Sequence, residues 1–125
     1  MIFDTDIIIW VQRGSLEAAS LVDSAAERHI AIVSYMELMQ KASNRSQQIT
    51  IKDYLTELSF SILPLSANIG HRASIYVEEY ALSHGISADD ALIAATAIEN
   101  EQTLCSSNAK HYRHIKDLRF KKFTP

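Results

Sequence analysis

A chain of 125 residues with 47% apolar and 22% charged side chains has the makeup of an ordinary folded domain, long enough to bury a core. Three glycines and two prolines are too few for an all-β fold of tight turns or for a disordered linker, and no apolar run is long enough to span a bilayer. The net charge of −3 hides an asymmetry: Lys110 to Lys122 carries six basic residues against one acid, +5, and the remainder carries −8. One cysteine, Cys105, excludes an internal disulfide and a thiolate metal site, and acids interrupt the first apolar run before it can act as a leader, so the cytoplasm is the expected compartment.

In chain order, Met1 to Phe3 reads as a short strand ending at Asp4, and Asp6 to Gln12 as a helical turn broken at Gly14. Ser15 can cap a helix whose apolar side holds Ala18, Ala19, Leu21, Val22 and Ala25. His29 to Val33 is β-rich and reads as a second strand. Ser34 then caps a helix with Glu37 three residues on, an S-x-x-E capping box. Ile51, Tyr54, Leu55 and Leu58 recur at helical spacing within Ile49 to Leu58, and Phe60 to Leu63 reads as strand three, stopped by Pro64. A long helix is predicted over Ala67 to His84, with Gly85 at its C-terminal cap, and Ser87 caps another that runs to Glu99. Thr103 to Ser106 is strand four and Leu118 to Phe120 a possible fifth. Strands alternating with helices predict one α/β domain over residues 1–125, an α/β/α sandwich on a parallel sheet of four or five strands.

Three acids are placed just after, or just inside, apolar segments: Asp4 after Ile2-Phe3, Glu37 after Ile32-Val33, and Asp90 at the head of Asp90-Ala91-Leu92-Ile93-Ala94-Ala95. In a parallel sheet, ligands bind beyond the carboxyl ends of the strands, where these acids can converge. Carboxylates gathered at one point repel, and a divalent cation is the usual remedy; all-oxygen donors suit Mg²⁺ or Mn²⁺. Each acid also has a plainer role. Glu37 and Asp90 both sit where a capping box needs an acid, and Asp89 suits the helix dipole. Asp4 is the hardest to explain by stability alone. The basic tail can hold a phosphate backbone or serve only as a solvated terminus.

Four segments carry a family resemblance: Ile2-Phe3-Asp4-Thr5, Ser34-Tyr35-Met36-Glu37-Leu38, Asp90-Ala91-Leu92-Ile93-Ala94-Ala95-Thr96-Ala97, and Leu104-Cys105-Ser106-Ser107-Asn108. In their order and spacing the chain resembles the PIN domain, and more closely the VapC-type ribonuclease toxins, over nearly its whole length. The resemblance implies an α/β/α sandwich, Mg²⁺ or Mn²⁺, endonucleolytic cleavage of RNA, a homodimer, and an antitoxin that blocks the acidic site. It makes Asp4, Glu37 and Asp90 the metal-binding acids and Asn108 a catalytic amide, with Thr5, Asp6, Asp89 and Ser106 in support. Arg13, Lys110, His111 and Arg113 are candidate substrate contacts. His111 departs from the family pattern, since many relatives carry an acid three residues after the asparagine. Imidazole can ligate Mn²⁺ but suits Mg²⁺ poorly, so a second ion, a phosphate contact or no role all stay open for it. A catalytically silent PIN-like module that binds RNA or a partner is the alternative. A haloacid-dehalogenase phosphatase is disfavoured because Gly-Thr does not follow Asp6. A response-regulator receiver is disfavoured because Asp53 lies within a helical pattern.

Overall fold

In a computed structural model, which describes residues 1–125, five parallel strands form one sheet in the order β3-β2-β1-β4-β5. They are β1 (Ile2–Phe3), β2 (His29–Ala31), β3 (Ser61–Leu63), β4 (Leu104–Ser106) and β5 (Phe120–Lys122). Seven helices connect them: α1 (Thr5–Gln12), α2 (Leu16–Asp23), α3 (Ile32–Lys41), α4 (Arg45–Glu57), α5 (Ala67–His84), α6 (Ala88–Glu99) and α7 (Ala109–Tyr112).

Adjacent strand residues face opposite sides of a sheet, and here that alternation divides the core in two. Phe3, Ile30 and Cys105 pack with Ile7 and Ile8 of α1, Ala18 and Val22 of α2, Leu38 of α3, and Ile51 and Leu55 of α4. Their neighbours Ile2, Ala31 and Leu104 face the other way, onto α5, α6 and Tyr112. Two helical layers therefore cover the sheet, and the three-layer sandwich is the architecture expected, with five strands.

The strand order reverses between β1 and β4. Ile2 pairs with His29 on one side and with Leu104 on the other, and Phe3 pairs with Cys105. Such a reversal opens a crevice at the carboxyl edge, because the connections leave in opposite directions. Asp4 and Ser106 border it.

The boundaries that differ from the sequence reading by more than one residue lie in β2, α3, α4 and β5. β2 ends at Ala31, and α3 begins at Ile32 with Ala31 at its N-cap and no side-chain cap bond. Ser34 is therefore inside the helix, fully buried, with a hydroxyl that has no partner, and the predicted Ser34–Glu37 capping box is not made. α4 begins four residues earlier than Ile49, because the Asn44 side chain accepts from the Gln47 N–H. β5 is displaced to Phe120–Lys122 by its register with β4, which pairs Leu104 with Phe120. α7 has no counterpart in the sequence reading, since four residues are too few to show a period.

Candidate active site

Asp4 ends β1 and caps α1, and its carboxylate is 6% exposed. Oδ1 accepts from the Thr5 N–H at 2.8 Å, and Oδ2 accepts from the Ser106 hydroxyl at 2.7 Å. The second bond crosses the switch point and joins residues 102 apart in sequence. The Ser106 Oγ also accepts from the Asn108 N–H at 2.9 Å, which leaves its own hydrogen for Asp4. Asp4 titrates at about 7 rather than 3.8. Burial is the largest cause and the charge of Asp6 the next, opposed by the Ser106 and Thr5 bonds, with Asp90 adding to the rise.

Thr5 ties a second acid to the first. Its hydroxyl donates to Glu37 Oε1 at 2.6 Å while its N–H serves Asp4. This bond, rather than a helix cap, orients Glu37.

Asp90 lies in the first turn of α6. Ser87 caps that helix by accepting the Asp90 N–H at 3.1 Å. The Asp90 carboxylate, however, does not turn back to the cap. His111 Nδ1 is 2.7 Å from Oδ2, and the Tyr112 hydroxyl donates to Oδ1 at 3.2 Å. A carboxylate oxygen accepts, so Nδ1 carries the hydrogen. The Asn108 Nδ2 lies 2.7 Å from the same nitrogen and donates to it only in the other tautomer, so the bonds of Nδ1 to Asp90 and to Asn108 are alternatives. Tyr112 is fully buried, and burial together with the charges of Asp4 and Asp90 holds its phenol well above the ordinary value, so it stays a donor.

Asp6 completes the acidic group. Its Oδ2 accepts from the Ser107 N–H at 2.9 Å and from the Ser107 hydroxyl, while Oδ1 is buried without a partner. No Lys or Arg forms an ion pair with Asp4, Asp6, Glu37 or Asp90; the one ion-pair contact among them is His111 with Asp90. One buried and three half-buried carboxylates without a Lys or Arg partner, one oxygen of them orphaned, are a donor set that fits a hard divalent ion. No three His, Cys, Asp or Glu side chains stand at metal-holding spacing as they are.

The remaining candidates separate by position. Asp89 is exposed and makes no side-chain bond to the group. Arg13 is the C-cap of α1, a helix length from Asp4, or about 12 Å at 1.5 Å per residue. Its guanidinium lies 5.7 Å from the Trp10 ring centroid. Lys110 and Arg113 are exposed on and just after α7. Sequence reasoning missed Tyr112 and Ser107. Their only signal was proximity in sequence to Asn108 and His111.

A sequence profile of the PIN domain matches residues 1–117. The chain is 31% identical to Ribonuclease VapC of Rickettsia bellii, an alignment covering 94% of this chain and 92% of that protein. The chain therefore belongs to the PIN domain family, in its VapC-type branch. Among solved structures, it is similar to a toxin–antitoxin complex from Klebsiella pneumoniae, with a TM-score of 0.79 and 26% identity over 94% of this chain and 93% of that one. The fold is also shared with VapBC2 from Rickettsia felis bound to a DNA fragment from its promoter. There the TM-score is 0.78 and the identity 22%, over 99% of this chain and 100% of that one.

Proposed function

We propose that this protein is a Mg²⁺- or Mn²⁺-dependent endoribonuclease, the toxin of a VapBC-type pair. The observation that carries the reading is Asp4, a buried carboxylate crowded by Asp6 and Asp90 with no Lys or Arg in reach. Such a group costs folding free energy unless a cation and a substrate make use of it.

Asp4, Glu37 and Asp90 would hold the ion. Bound there, a divalent cation supplies charge neutralisation at the phosphoryl oxygens and acidifies a water for attack on phosphorus. The chain's own groups do the positioning. Thr5 keeps Asp4 and Glu37 in fixed relation, Ser106 and Tyr112 hold one oxygen each of Asp4 and Asp90, and Asn108 offers an amide to the water or the scissile phosphate. His111 makes no bond in the protein through Nε2, and as an imidazolium, with Nδ1 on Asp90, it would offer the Nε2 hydrogen to a phosphate oxygen. The toxin–antitoxin complexes of similar fold support an antitoxin partner. A homodimer and a cytoplasmic setting follow from the same family reading.

Cleavage of total cellular RNA by purified protein, with Mg²⁺ or Mn²⁺ and with EDTA, tests the proposal beside Asp4→Asn. Activity that needs both the metal and Asp4 is the expected result. A silent RNA- or partner-binding module is the second reading, favoured by the bond between His111 and Asp90 and by the absence of a ready-made ligand trio. It predicts no cleavage with either metal from protein that is folded and free of antitoxin.

A further inference from the structure

Beside α7, Tyr80, His84 and His114 form a short cluster of three rings. His84 and His114 lie face to face, their centroids 3.9 Å apart and their planes within 17°. Tyr80 supports His114 edge-on at 4.3 Å. His84 is the last residue of α5, and Gly85 turns the chain away in a left-handed conformation at φ +69°. The ring is thus left exposed, with Nδ1 fixed 2.7 Å from the Ser83 hydroxyl. Both ring nitrogens of His114 are buried without hydrogen bonds. His114 meets its neighbours through its ring faces and edges alone, and the Ser83 contact leaves the flat face of His84 available.

Beside the stack is a pocket of about 270 Å³ lined by His84, Ala109, Lys110, Arg113 and His114. No acid lines it, and neither Lys110 nor Arg113 makes an ion pair or a side-chain hydrogen bond within the protein. Lys110 and Arg113 are three residues apart and so share one side of a helical turn. The pocket adjoins the acidic site through α7: Lys110 and Arg113 line it, and His111 between them in sequence contacts Asp90. Single-stranded RNA is bound by just this pairing of cations for the backbone with flat rings for unstacked bases.

We infer that this pocket is a nucleotide subsite for the RNA strand beside the cleavage point, with a base stacked on the outer face of His84 and the adjoining phosphate held by Lys110 and Arg113. The inference rests on the ribonuclease reading and gives it a substrate-binding surface outside the acidic cluster.

The test uses the full chain carrying Asp4→Asn, in EDTA, with fluorescein-labelled single-stranded RNA 12-mers of random sequence, read by anisotropy across a salt series. The double variant Lys110→Gln/Arg113→Gln should weaken binding and flatten the plot of log K against log salt by about 0.7, the slope of one phosphate contact on a single strand. His84→Ala should weaken binding at least about fivefold, the lower end of one stacked base, and His84→Phe should restore it. Unchanged affinity and slope in all three would overturn the inference. So would variants that leave RNA binding intact but change the sedimentation coefficient or release a co-purified antitoxin, since that outcome makes the face a protein interface. The two readings fail separately. Wild-type protein that cleaves RNA while the pocket variants bind normally sinks only the subsite, and pocket-dependent binding without metal-dependent cleavage sinks only the nuclease.

Discussion

Asp4 shows how far one side chain can be held from its preferred state. Its carboxyl titrates at about 7 in the fold and at 3.8 in an unstructured chain, so between those values the native state holds a proton that the unfolded state has lost. Stability of the metal-free protein should therefore fall as pH rises from about 4 to 7, by up to about 4 kcal/mol at 1.36 kcal/mol per decade. Asp4→Asn, neutral at every pH, should be more stable than wild type in EDTA at pH 8 and show a flatter pH profile; urea denaturation at pH 4.5 and pH 8 measures both. Equal pH slopes in the two proteins would show that Asp4 is not strained. Tyr112 makes the complementary prediction. Tyr112→Phe keeps the buried ring and removes only the donor to Asp90 Oδ1. A loss of roughly 1–2 kcal/mol in metal-free stability is expected, together with weaker Mn²⁺ binding by calorimetry. The two residues were not equally legible. An acid directly after an apolar run is visible in sequence, whereas a tyrosine becomes part of the site only when α7 folds back on α6.

Helix starts decide which acids are free for chemistry. The sequence assigned capping roles to Glu37 and Asp90 with equal right, and the structure separates them from those roles in different ways. α3 starts at Ile32 without a side-chain cap, so Glu37 lies beyond the first turn and answers to Thr5. α6 does start at Ser87, but only the backbone N–H of Asp90 is used by the cap, and the carboxylate goes to His111 and Tyr112. Cap and site can thus be cut apart. Ser87→Ala should cost about 1 kcal/mol of stability and leave Mn²⁺ affinity unchanged. Asp90→Asn should keep the helix and abolish tight Mn²⁺ binding. A Ser87→Ala protein that also loses the metal would mean the two functions share one geometry. Period and cap residues predicted every long helix, but α7 escaped and β5 was read two residues early, because three- and four-residue elements are set by register and tertiary packing rather than by local pattern.

Across the whole molecule, the acidic group is a cost that a ligand can convert to stability. Any ion that binds only the folded chain raises its stability by mass action, by about 2.7 kcal/mol at a hundred times its Kd. Thermal unfolding should therefore rise with Mn²⁺ concentration in wild type and stay flat in Asp4→Asn. A parallel rise in both proteins would place the ion elsewhere. No helix is long and apolar enough to cross a membrane. The bond between Asp4 and Ser106 also has a consequence for synthesis. Asp4 and its partner across the switch point are made 102 residues apart. At about 5–20 residues per second, a translating ribosome holds each nascent copy incomplete for roughly 5–20 s after Asp4 is added. A copy aborted at any point before β4 has no strand to close the sheet beside β1. A site closed by that bond cannot form before β4 is made, so a cell making a nuclease of this topology would be spared the action of shorter fragments.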